Sequence, residues 1–214
     1  MGLHDLGVAM RSQLQERIDA NDQAGYDAIL LGYALCGRGT EGLHAGTTQL
    51  VLPRAHDCIG VLMGGRQRYQ EYFQNHPGVY YRSPGWIEFQ KGSQWLGPAG
   101  ISAKKPLGER RSLAELIAQY GEENGWFLFD QFTAYRRKYS GLTYITTGLE
   151  ADGAFREQAR AEAEKEHWAF EEYPGSIRLL EGLVNGDWNA GDFLVVPPGL
   201  SVAATFDADI VRAR

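Results

Sequence analysis

Tyr26-Asp27-Ala28-Ile29-Leu30-Leu31-Gly32-Tyr33-Ala34-Leu35-Cys36-Gly37-Arg38-Gly39 decides the fold: a short apolar run empties into a glycine-rich loop. Too short for a helix and bounded by turn formers, the run reads as a buried strand. The pattern recurs at Thr48-Gln49-Leu50-Val51-Leu52-Pro53, with Arg54-Ala55-His56-Asp57-Cys58 as the loop that follows. Strands that are apolar throughout belong to sheets covered on both faces, and such sheets are mostly parallel.

Working outward, Leu6, Met10, Leu14 and Ile18 recur every fourth residue between Asp5 and Ala20, predicting an amphipathic helix with Asp5 as its cap. Ile59 to Phe73 reads as a helix despite Gly64-Gly65. Gly78 to Arg82 reads as a strand stopped by Ser83-Pro84-Gly85 before Trp86. Residues 91–106 read as loop, with helices at Ser112 to Tyr120 and about Gly125 to Lys138. Leu142 to Gly148 predicts a strand, Gly153 to about Trp168 a helix, Ile177 to Val184 a short helix and Phe193 to Val196 a last strand before Pro197-Pro198-Gly199.

Strands alternating with helices predict one α/β domain over residues 1–214, Rossmann-like, with a mostly parallel sheet and helices on both faces. Residues 91–138 form its loop and helical segment. In such folds ligands bind beyond the carboxyl ends of the strands. The loops at Cys36, His56 to Cys58, Ser83 to Trp86, Thr146 to Gly148 and Pro197 to Gly199 are therefore expected on one rim. A helix opening the chain ahead of a parallel strand also leads to the expectation that a preceding strand is missing, with His4 at the rim beside it.

Composition excludes several classes of function. Lys and Arg total 21 against 27 Asp and Glu, a net charge of −6, which argues against a nucleic-acid surface. No apolar run is long enough to span a bilayer, and Met1-Gly2-Leu3-His4-Asp5 has no signal-peptide character, so a cytoplasmic protein is expected. Two cysteines make no disulfide framework; in a reducing compartment they are thiols, open to roles as ligands or nucleophiles.

Both cysteines fall in the two loops first quoted. His56 and Cys58, one residue apart, can turn toward one ion, and Cys36 comes from the neighbouring loop. Thiolate and imidazole suit zinc, and three protein ligands leave a position open for water or substrate, with His4 available to close the shell. Two other readings stand beside this one: the cysteines as small buried hydrophobes with His56 a bonded loop residue, or a metal-free thiol nucleophile activated by His56. Asp57 is a candidate to orient His56 or act as general base, and equally a turn-forming Asp bonding its own backbone. Arg54 is a candidate clamp for an anionic substrate group, with a surface salt bridge as the alternative.

Leu31-Gly32-Tyr33-Ala34-Leu35-Cys36-Gly37, Pro53-Arg54-Ala55-His56-Asp57-Cys58 and Pro77-Gly78-Val79-Tyr80-Tyr81 through Gly85-Trp86 resemble the motifs of a prokaryotic domain-of-unknown-function family. Arg178-Leu179-Leu180 and Phe193 to Gly199 fit as well, so the likeness covers nearly the whole chain. The resemblance implies a setting beside corrinoid-dependent methyltransferase components. It also implies a longer amino-terminal region, with a strand and another cysteine before the motif matching Gly2-Leu3-His4. His56-x-Cys58 is similar, besides, to the ligand pair of zinc enzymes that move a methyl group between a corrinoid and a thiol, although Cys36 here precedes that pair.

The expectation is a zinc-dependent enzyme of one-carbon or methyl-transfer metabolism, acting on a small thiol substrate or a corrinoid-linked methyl group. A non-enzymatic metal- or corrinoid-binding accessory protein and a metal-free cysteine enzyme are the alternatives.

Overall fold

The computed structural model describes residues 7–90, 112–150 and 152–214. Their contacts divide into two compact units. Residues 7–76 with Ile145–Leu149 and Tyr173–Arg214 make the first, and Pro77–Tyr144 with Glu150–Glu172 the core of the second.

In the first unit, helix α1 (Gly7–Asn21) precedes strand β1 (Ala28–Leu30), which pairs in parallel with β2 (Gln49–Pro53). The crossover between them, residues 31–48, is built of turns instead of the usual helix. Asp22, just after α1, fastens its entry to β2: its carboxylate accepts the N–H groups of Thr47 and Thr48, each at 2.8 Å. Side chains sort by the two-residue period of a strand. Leu50 and Leu52 join Met10, Leu14 and Ile18 of α1 in one core cluster. Val51 faces the other way, with Val61, Leu179, Leu183 and Phe193. Burying each of these β2 side chains is worth roughly 1.5–3 kcal/mol.

Helices therefore cover both faces of this sheet, as expected. The second face is covered by α2 (Cys58–Leu62) and α8 (Arg178–Asn185). The predicted single helix from Ile59 to Phe73 is in fact two, α2 and α3 (Arg66–Asn75), because Gly64 (φ 85°) and Gly65 (φ 130°) hold conformations that end one helix and cap the next.

A single, mostly parallel Rossmann-like sheet is not what forms. The third strand of this sheet, β6 (Phe193–Val196), runs antiparallel to β2, pairing Phe193 with Pro53 and Val196 with Leu50. Its carboxyl end lies at the amino end of β2, where Gly199 N–H donates to the Ala45 carbonyl at 2.8 Å. Pro197 to Gly199 thus sits at the opposite end of the sheet from Cys36 and His56, and the five-loop rim is corrected accordingly. A hairpin of β7 (Val202–Ala204) and β8 (Val211–Ala213) is a further small sheet.

In the second unit β3 (Val79–Arg82) pairs in parallel with β4 (Gly141–Thr146), and β5 (Ala169–Pro174) flanks β4. Strand β3 stops at Arg82, as Ser83-Pro84-Gly85 predicts, and the same turn does more. It starts α4 (Pro84–Gln90), with Pro84 at the first helical position, where its missing N–H is harmless. Helix α5 (Leu113–Tyr120) opens on a capping box between Ser112 and Glu115 and leads into α6 (Glu122–Thr133). Residues 91–106, expected as loop, lie outside the described residues.

Ala159 and Ala163 of α7 (Ala154–Glu166) pack on Leu142 and Tyr144. Beside them the Arg82 guanidinium makes two 2.7 Å hydrogen bonds to the Glu162 carboxylate and lies over the Tyr80 ring. Arg82 keeps only 6% of its side-chain surface exposed. Removing one partner of such a pair strands a buried charge. Glu162→Ala is expected to cost about 2–3 kcal/mol in urea denaturation, and Arg82→Met with Glu162→Leu to recover most of that loss.

Candidate functional site

The β1–β2 pairing continues past both strand ends. Leu35 N–H donates to the Ala55 carbonyl at 3.0 Å and Cys36 N–H to the His56 carbonyl at 2.8 Å. This joins the two loops that carry the cysteines. Cys36 (φ 46°), Gly37 (φ 63°) and Arg38 (φ 68°) form a left-handed turn, closed by Gly39 N–H donating to the Cys36 carbonyl at 3.2 Å. Non-glycine residues pay about 1–2 kcal/mol each to adopt that conformation, so the loop holds Cys36 at a cost.

Cys58 is the first residue of α2. Its main-chain N–H favours the ionised form of Cys36, though less than burial opposes it. Both thiols are free and half-buried. Burial pushes the Cys36 thiol up, and the Asp57 charge adds to the rise. Burial likewise pushes the Cys58 thiol up to about 12, with Cys36 and Asp57 contributing. Buried beside a carboxylate and each other, these thiols keep their protons at neutral pH, the reverse of an activated cysteine.

The other expected site residues take distinct positions. Asp57 is the N-cap of α2, accepting the Gly60 N–H at 3.0 Å, as the turn-forming reading anticipated. His56 is exposed on the loop. Arg54 donates from Nε to the Phe193 carbonyl at 3.0 Å and from one terminal nitrogen to the carbonyls of Asp209 and Val211; it latches β2 to β6 and to the β7–β8 hairpin. His4 lies outside the described residues. Among the described residues, no three or more His, Cys, Asp or Glu side chains are gathered as the ligands of one metal ion. The structure thus brings together Cys36, Cys58 and Asp57 and leaves His56 at the edge.

Sequence reasoning missed Tyr69. Its phenol is pushed up to about 12, first by burial and then by the charges of Asp57 and Cys58. The available signal was Tyr69, Tyr72 and Phe73 at helical spacing, indistinguishable from a packing stripe.

Residues 1–184 match the family described as "Protein of unknown function (DUF1638)". The chain belongs to the DUF1638 family. The matched stretch includes both cysteine loops of this DUF1638 member and ends within α8. No curated protein and no solved structure matches the chain. No helix among the described residues is long and apolar enough to cross a membrane.

Two predictions test the geometry. Cys36→Gly is expected to be more stable than Cys36→Ala by about 1 kcal/mol, because only the left-handed backbone separates them; equal unfolding midpoints would contradict the assigned φ. Asparagine still caps a helix, so Asp57→Asn should cost less than about 1 kcal/mol. By removing the negative charge it should lower both thiol pKa values, moving the pH profile of iodoacetamide alkylation in chelated protein toward neutral pH. A profile unmoved by the substitution would show that Asp57 does not face the sulfurs.

Proposed function

We propose that Cys36 and Cys58 are sulfur ligands of a zinc ion, with His56 as the third protein ligand, in an enzyme of one-carbon or methyl-transfer metabolism that acts on a small thiol. The observation that supports the reading is the joining, by main-chain hydrogen bonds, of the two loops that carry the chain's cysteines, at the carboxyl ends of parallel strands. The donor chemistry fits the ion: two thiols and an imidazole are what zinc prefers, and three ligands leave an exchangeable position. Zinc, when bound, holds its sulfur ligands as thiolates and lowers the pKa of a thiol or water in that position.

The chain's own part is to hold the sulfurs. The strained Cys36 turn fixes one and the capped start of α2 fixes the other, while His56, exposed on the same loop, is free to turn toward them. The high thiol pKa values favour this reading over the metal-free nucleophile, since a protonated, buried cysteine attacks slowly. The methyl-transfer setting and a corrinoid protein as partner rest on the family resemblance.

Metal analysis of protein purified without added ions or chelator is the test. Equimolar zinc is expected, abolished by Cys58→Ser and by Cys36→Ser and weakened by His56→Ala. Protein that emerges metal-free and binds no zinc in a competition titration would sink the proposal.

A further inference from the structure

Helices α5 and α6 form a hairpin in the second unit, turned at Gly121. Gly125 fixes which side of α6 faces α5. A β-carbon built there would lie 2.7 Å from the Ile117 main chain, so the two backbones are in contact. With 3.6 residues per turn, Leu128 and Phe129 share that inner side, while Glu123, Trp126, Phe127 and Asp130 fall on the outer one. Two large aromatics stand open on the outer side: Trp126 is 53% exposed and Phe127 62%. Charged groups rim them. Glu122 and Glu123 are exposed at the start of α6, and Arg137 and Lys138 are exposed in the 3₁₀ helix Ala134–Lys138 that continues it. Arg137 makes two hydrogen bonds to the Asp130 carboxylate and still keeps 64% of its side chain exposed.

We infer that the outer face of α6 docks a second copy of this chain, the two α6 helices lying antiparallel across a two-fold axis so that two hairpins complete a four-helix bundle. Charge decides both the occupant and its direction. One end of the face is acidic and the other basic. An antiparallel copy sets Glu122 and Glu123 of each protomer against Arg137 and Lys138 of its partner, whereas a parallel copy would oppose like charges at both ends. The opposed helix dipoles agree with that direction. Between the charged ends lie Trp126 and Phe127, and an aromatic centre inside a charged rim is how protein interfaces are built. The inference is independent of the cysteine loops and of zinc.

Sedimentation equilibrium of the full chain is the test. A dimer is expected at micromolar concentration, weakened by added salt. Phe127→Glu, at an exposed position, should give a monomer with an unchanged far-ultraviolet spectrum. Should that variant fail to fold, Trp126→Ser carries the same expectation. Glu122→Lys with Glu123→Lys should weaken self-association at least about tenfold, and so should Arg137→Glu with Lys138→Glu. An equimolar mixture of those two charge variants should recover a dimer, because each end of the mixed pair again joins opposite charges. A dimer that survives Phe127→Glu and Trp126→Ser forms on another surface and overturns the inference, as does a mixture that stays monomeric. A monomeric parent also overturns it. Hydroxyl-radical labelling of Trp126 in that monomer then separates the alternatives: protection assigns the face to another part of the same chain, and free labelling leaves it open to a different protein.

Discussion

Two main-chain hydrogen bonds beyond the end of β1, from Leu35 to Ala55 and from Cys36 to His56, carry the parallel pairing into the loops. Each is worth only about 1 kcal/mol net, but leaving those groups buried and unmet would cost more. Ala34 and Ala55, on the two joined segments, are both buried, so the pairing is enforced from beneath. With β1 and β2 in register and the ladder continued, Cys36 is delivered to the start of α2, where Cys58 and the capping Asp57 already are. The left-handed turn at Cys36 to Arg38 follows from the same constraint. Having paired through Cys36, the chain must turn away at once, and Gly39 completes that turn while tucked against Met10 of α1.

The core explains why such strain is tolerated. Leu50, Val51 and Leu52 are wholly buried, alternating between two clusters, so the strand that bears the His56 loop is fixed on both faces. Arg54 adds a third restraint, because its guanidinium ties the end of β2 to carbonyls on β6 and around β8. A few kcal/mol of local backbone cost is small beside the burial that holds these elements. Strained non-glycine residues persist where surrounding structure over-determines them, and such places are disproportionately functional.

What the sequence made legible divides along physical lines. The four-residue period of Met10, Leu14 and Ile18 and the apolar run of β2 announce themselves because burial dictates both. The meeting of the two cysteine loops was legible because parallel strands put their following loops on one side. The direction of β6 was not, since Phe193-Leu194-Val195-Val196 is equally apolar read either way, and with it fell the single parallel sheet. Strand β5 was missed because Ala169 to Pro174 is largely exposed, with two glutamates in its middle. β7 and β8 are only three residues each, too short for a period to register. Gly64-Gly65 was read through as helix, although two adjacent glycines offer the cheapest way to end one helix and begin another. Tyr69 was invisible for a different reason: its helical spacing with Tyr72 and Phe73 is that of a packing stripe, and its nearness to Asp57 and Cys58 arises only in the tertiary structure.

Asp57 ties local structure to chemistry. As an N-cap its carboxylate stabilises a helix start, by roughly 1 kcal/mol. The same charge opposes ionisation of Cys36 and Cys58 and of the Tyr69 phenol nearby. Every ionisable group at this site that is not already negative is therefore discouraged from becoming so, and a bare thiolate gains nothing here but the N–H groups of the loops. A bound cation would reverse the sign of these charge effects, which is the electrostatic ground on which the proposed zinc reading stands, and the carboxylate that sets them is in place for a local reason, the capping of a helix.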